Sequence, residues 1–188
     1  MTTLAATQTN GVNVDQLVGT INAIKENPDL AQFTFRAKNF WVNGGHSRTT
    51  IQGFYGAGSE DSTRVEPFVV DGDEPPVLLG ENVAPNAVEM VLHALASCLS
   101  VGFVYNAAAM GIKVDGLEFD MTGDLDLHAF LGLSDKVRPG YSNIAVTYRV
   151  RSDAPREKLE SLCQYVQDTS PVMDIIRNPV PVTIEMAS

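Results

Sequence analysis

Apolar residues spaced three and four apart run from Val14 through Leu17, Val18 and Ile21 to Ile24, the period of an amphipathic helix. Asn13 stands where a cap would, and Asn27-Pro28 closes the segment, because a proline drives the residue before it out of helical geometry. The period then changes to two. Phe33, Phe35 and Ala37 alternate with Thr34, Arg36 and Lys38, and a second strand-like run covers 48–55. Asn43-Gly44-Gly45 between them is hairpin turn chemistry. A short run at 67–70 predicts a third strand, and 71–85, rich in proline, glycine and acids, predicts an ordered loop.

The stretch 86–110 is the most apolar in the chain and nearly as long as a membrane span, but Glu89, His93, Ser97, Ser100 and Asn106 interrupt it. A helix apolar almost all round, in an otherwise soluble composition, predicts a central core helix, with Gly111 as its stop. Leu117, Phe119, Met121, Leu125 and Leu127 then alternate with the acidic Glu118, Asp120, Asp124 and Asp126. Ile144, Val146, Tyr148 and Val150 alternate with Thr147, Arg149 and Arg151. Both read as half-buried strands of one antiparallel sheet, joined by a loop over 128–140. Asp153 and Pro155 open a helix with Leu159, Leu162, Cys163 and Val166 on one face, and Ser170-Pro171 starts a shorter one. Val180, Val182 and Ile184 predict a last strand, placed at a sheet edge by Pro181. There is no repeat and no linker. The expected class is α+β, with a flexible start over 1–12 and one domain over 13–188.

Composition narrows the partners. The 188 residues include 13 basic and 23 acidic side chains, a net charge of −10, which argues against nucleic acid and anionic membranes. Two cysteines form neither a disulfide framework nor a zinc site, and the first residues lack a secretion signal, so a reducing cytoplasm is the expected compartment. His46, His93 and His128 are scattered, and alternating carboxylates on a strand mark a solvated face, so no metal is expected. Neither a glycine-rich nucleotide loop nor a Gly-x-Ser-x-Gly elbow is present, so no cofactor is expected either.

The remaining chemistry sits on the apolar helix. Val91, Ala94, Leu95, Val101, Gly102 and Tyr105 share the side of Cys98, and Gly102 leaves open space beside the thiol for a packed neighbour or a ligand. Cys98 is therefore read either as a buried core cysteine or as a nucleophile on the floor of an apolar pocket. Glu89 and His93 face each other at i, i+4, but Glu89 precedes Cys98 by a rotation of about 900°, half a turn out of phase. Cys163, among Leu159, Leu162 and Val166, reads as core, with pairing to Cys98 left open.

The segment from Ala84-Pro85-Asn86 through Glu89 to Ala96-Ser97-Cys98-Leu99 resembles the central helix of the OsmC/Ohr family. Ala107 to Val114 with the strand to Asp126, and Ser170-Pro171-Val172 followed by Val180-Pro181-Val182, resemble its later segments. The resemblance implies antiparallel sheets wrapped around a long central helix in an intertwined homodimer. It also implies reduction of organic hydroperoxides, with Cys98 at the position of the attacking cysteine. The second, resolving cysteine of the peroxidases is here Ser170, so the implied reductant is an external thiol or Cys163. The activating glutamate falls at Val88, one step from Glu89, and the segment that carries the activating arginine has none, Arg64 being nearest in sequence. Cys98, Ser170 and Glu89 are the expected site residues. Two functions follow: a thiol-dependent peroxidase acting on a small hydrophobic peroxide, or a non-catalytic dimer binding an apolar or thiol-containing small molecule.

Overall fold

The structure, a computed structural model, describes residues 8–187. Packing groups them into two compact units, one holding 8–14 and 92–187, the other Asp15–Val91. In the first, β1 (Gln8–Thr9) and β2 (Val12–Asn13) pair across Asn10-Gly11, whose φ values of 54° and 77° suit a primed hairpin turn. The Asn10 carboxamide donates to Ile112 O at 2.9 Å and accepts from Val114 N at 2.8 Å, copying the pairing of a strand. Residues 8–12 are thus held rather than loose, while 1–7 of the expected flexible start lie outside the described residues.

The Asp15–Val91 unit takes up α1 (Val14–Glu26) almost from its start; Asp15 in the first turn and Lys25 in the last match the helix dipole. Of the strand expected at 33–38, Thr34 pairs in an isolated bridge to Tyr55 and Lys38 opens a regular strand opposite Thr50, while 35–37 lie outside any ladder. The apolar members of that run stack instead: Phe35 and Phe54 lie with ring centroids 5.5 Å apart, and Phe33 lies 5.8 Å from Phe35. The regular strand begins later, as β3 (Lys38–Asn43), and turns at Asn43-Gly44-Gly45 into β4 (His46–Ile51). A small hairpin of β5 (Phe54–Gly56) and β6 (Ser59–Asp61) follows. The expected third strand is β7 (Phe68–Gly72), completing a sheet ordered β3-β4-β7.

The loop beyond β7 is ordered around a buried charge. Asp73 is 2% exposed, and its Oδ2 accepts from the backbone N–H groups of Glu81 and Val83, each at 3.1 Å. Gly80 is required there, since a Cβ would stand 1.8 Å from Glu74 O.

Next, α2 (Ala87–Ala109) is closed at both ends by its own sequence. Asn86 and Glu89 exchange side-chain-to-backbone bonds of 2.8 Å, a reciprocal capping box. At the far end Gly111, with φ +67°, lets its own N–H reach Ala108 O and that of Ile112 reach Ala107 O. By length and composition α2 could cross a membrane, yet Leu95, Leu99, Phe103 and Ala107, each one turn on, are buried in a protein core. The rest of that core comes from β8 (Gly116–Asp124), β9 (Asn143–Arg151), α3 (Arg156–Thr169) and α4 (Pro171–Arg177), with Phe119, Val146, Leu162, Val166 and Met173 packed inward. Each large side chain buried this way contributes about 1.5–3 kcal/mol. Burial is one-sided: Val101 and Tyr105 remain 55% and 47% exposed, so α2 is not enclosed all round within the chain.

On the solvent face of β8, Arg149 of β9 bonds Glu118 at 3.2 Å and also reaches Asp120. The acidic stripe is met by an arginine, and no cluster of metal-ligating side chains occurs among the described residues. The last strand expected at 180–184 is absent. Val180, Val182 and Ile184 alternate as a strand would, but no described segment of the chain pairs with them and they stay exposed.

The Asp73 loop has a pH signature. The Val83 N–H above all, with those of Glu74 and Glu81, holds the Asp73 carboxyl below the ordinary aspartate value against the opposing effect of burial. A depressed folded value stabilises the loop above the unfolded value of about 3.9 and loses that contribution as pH falls through the folded one. Hydrogen exchange at the Glu81 and Val83 amides should therefore accelerate in Asp73→Ala at pH 7, and in the unaltered protein only under acid. Equal protection in both proteins at pH 7 would refute the role.

Candidate active site

Ser170 sits where two helices meet. It ends α3 and caps α4 with φ −74° and ψ 119°, an extended conformation that a Ser-Pro step favours. Its Oγ accepts from Met173 N at 3.2 Å, and the residue is only 5% exposed. Across from it, on α2, the half-buried Cys98 places Sγ 3.1 Å from Ser170 Oγ. Since Met173 already donates to the oxygen, the hydroxyl proton is free to point at sulfur. The contact holds the two side chains in hydrogen-bonding reach of each other.

Gly102 makes the approach possible. A Cβ there would stand 3.0 Å from Val166 Cγ1, so the space beside the thiol is taken by a residue of α3. The two helices can close together, which brings the end of α3 and the start of α4 over Cys98. What stays open is a groove of about 460 Å³ lined by Ser97, Cys98, Val101, Gly102, Asn106, Thr169, Ser170 and Pro171. None of these side chains is charged.

The structure brings together Cys98 and Ser170, 72 positions apart. It gives Glu89 a different setting, since its carboxylate closes the capping box and does not line the groove. His93 is exposed. Arg64, in the Asp15–Val91 unit, donates to Gln52 O at 3.1 Å and lies over the rings of Phe54 and Phe68 at 5.0 and 5.2 Å. Cys163 is a free thiol, as is Cys98, and is 6% exposed in the core, with the Gln167 amide 3.6 Å from its sulfur. It lines a separate cavity of about 80 Å³ with Leu99, Phe103, Phe119 and Tyr148. The Tyr148 phenol is pushed up to about 12, first by the Cys163 thiol and then by burial, so it stays protonated at neutral pH. Asn106 and Thr169 also line the groove. From sequence Asn106 counted only as an interruption of an apolar run, and its i, i+8 spacing from Cys98 was the available signal.

A family model described as OsmC-like protein matches residues 80–185. Among solved structures, an OsmC-like protein from Mycoplasma pneumoniae aligns with a TM-score of 0.58 at 15% identity, over 78% of this chain and 89% of that one. An organic hydroperoxide resistance protein OsmC from Legionella pneumophila aligns at 0.54 and 17% identity, over 79% and 92%. A putative osmotic stress induced and detoxification response protein from Psychrobacter arcticus aligns at 0.53 and 17%, over 73% and 85%. At these identities the likeness establishes a shared fold: antiparallel sheets with a long helix. No curated protein sequence matches the chain.

Ser170→Ala removes both a helix cap and the hydroxyl facing Cys98. It should cost about 0.5–2 kcal/mol of stability in urea unfolding and slow iodoacetamide alkylation of Cys98 by about 2- to 10-fold. Unchanged alkylation alongside reduced stability would reduce Ser170 to a cap.

Proposed function

Because the chain belongs to the family of OsmC-like proteins, we propose that it reduces organic hydroperoxides at the expense of an external thiol, with Cys98 as the nucleophile. The observation that carries this reading is the 3.1 Å approach of Cys98 Sγ and Ser170 Oγ on the wall of an uncharged groove. The Cys98 thiolate attacks the terminal peroxide oxygen. The O–O bond breaks, sulfur is oxidised to a sulfenic acid, and the alkoxide leaves and takes up a proton as an alcohol. Apolar lining such as Val101 and Pro171 suits the carbon body of an organic peroxide and offers little to hydrogen peroxide.

Ser170 has no thiol, so it cannot close a disulfide on the oxidised sulfur. A small thiol attacks the sulfenic sulfur, expelling water and leaving a mixed disulfide. A second thiol molecule then displaces Cys98 and carries away the oxidised pair. Cys163 is less suited to this step, being buried in the core beside Tyr148. Glu89 acts in its own chain by fixing the start of α2. A small-thiol reductant of this kind is supplied by a reducing cytoplasm, the compartment we propose.

The working unit we propose is a homodimer. Val101 and Tyr105 beside the groove, and Phe40 and Trp41 on β3, are apolar groups 47–72% exposed in the single chain, and a second copy would cover them. A solution mass equal to the 20.3 kDa chain would overturn this.

A second reading has its own support. No cationic side chain lines the groove to stabilise a thiolate, which favours a dimer that binds an apolar or thiol-containing small molecule without turning it over. Turnover decides between them. With dithiothreitol as reductant, cumene hydroperoxide should be consumed faster than hydrogen peroxide, and Cys98→Ser should abolish the excess over free thiol. Consumption no faster than that of the thiol alone would leave the binding reading.

A further inference from the structure

Two turns beyond Cys98 on α2, Asn106 lines the same groove and is the one carboxamide in it. Its Nδ2 donates to Gly102 O at 2.8 Å, one turn back. A backbone carbonyl at that point accepts only from the N–H side of the amide, so the orientation of the group is fixed. One N–H is used. Among the described residues the other N–H and the carbonyl Oδ1 have no further partner, and they stand as a paired donor and acceptor held still by the helix backbone. Asparagine has no intrinsic place inside a helix, where its amide competes with the backbone. The core on this side of α2 is completed by Phe103 and Ala107, both buried, while Asn106 is half-buried.

Eight residues of α-helix rise about 12 Å and turn through about 800°, so Asn106 lies some 80° around the helix from Cys98. Val101 and Gly102 floor the space between them. On the other wall, Thr169 spends its hydroxyl proton on Tyr165 O at 2.8 Å and shows the groove only lone pairs and a methyl group. A charged tail would meet no opposite charge among the lining residues.

We infer that the groove selects elongated, neutral molecules with an apolar middle, and that Asn106 is a specificity residue reading a hydroxyl, carbonyl or amide group about 12 Å from the atom that meets Cys98. This deepens the reading of the groove as the ligand site of Cys98 and rests on it, but it requires no peroxidase turnover.

The test uses three iodoacetamide probes of equal tail length, ending in methyl, hydroxyl or carboxylate, with the site of alkylation assigned by peptide mapping. Each rate at Cys98 is divided by the same protein's rate with iodoacetamide itself, which removes general effects on the thiol and the fold. In the unaltered protein the hydroxyl tail should outrun the methyl tail by about 2- to 10-fold, the range of one net hydrogen bond, and the carboxylate tail should be slowest. Asn106→Leu should remove the preference for hydroxyl over methyl, and Asn106→Ala should do so too if leucine disturbs folding. A preference that survives both substitutions, or is absent from the unaltered protein, overturns the assignment. Failure of cumene hydroperoxide turnover, by contrast, would sink the peroxidase reading while leaving these ratios to decide the role of Asn106.

Discussion

The close approach of α2 and α3 at Gly102 and Val166 governs the geometry of the site. With only 3.0 Å between Val166 Cγ1 and the position of a Cβ on residue 102, a side chain there would require Val166 to give way. Packing on this side is otherwise tight, with Leu99, Phe103, Leu162 and Val166 all below 4% exposed, so a displacement would be passed on rather than absorbed. Ser170 sits at the end of α3, and its 3.1 Å contact with Cys98 therefore inherits the helix spacing. Gly102 thus sets the distance between Cys98 and Ser170 through the side chain it lacks.

Ser170 joins a structural contact and a site contact in one hydroxyl. Its hydroxyl is oriented by the Met173 N–H, a bond it makes as the cap of α4 whether or not Cys98 reacts. The position places a hydroxyl beside the sulfur and, having no thiol, offers it no disulfide partner.

Much of this was legible in the sequence, and the misses have physical causes. The extent of α2 could be read because an apolar run bounded by Asn86 and Gly111 has few alternatives. The Asn-x-x-Glu signature of its cap was equally present, and it sets Glu89 at the start of the helix, bonded to Asn86. Phe33 and Phe35 mimic a strand in their period, but the ring stack with Phe54 satisfies them without a ladder. Val180 to Ile184 carry a strand pattern that needs a neighbour the described chain does not supply. The meeting of Cys98 and Ser170 follows from no spacing rule, because the two are joined only through the packing of three helices, and it was anticipated through family resemblance.

The Asn10 bonds to Ile112 and Val114 have a consequence for how the protein assembles. They tie together backbone more than 100 positions apart, with the whole Asp15–Val91 unit lying between the tied points in sequence. Closing so long a loop carries an entropic cost that only a prepared docking surface can offset. The short β1–β2 hairpin cannot form that surface, and the segment after α2 exists only once the helix has been stopped at Gly111. The β1–β2 hairpin is therefore held by contacts of long sequence separation, and its attachment requires the segment after α2 to be in place.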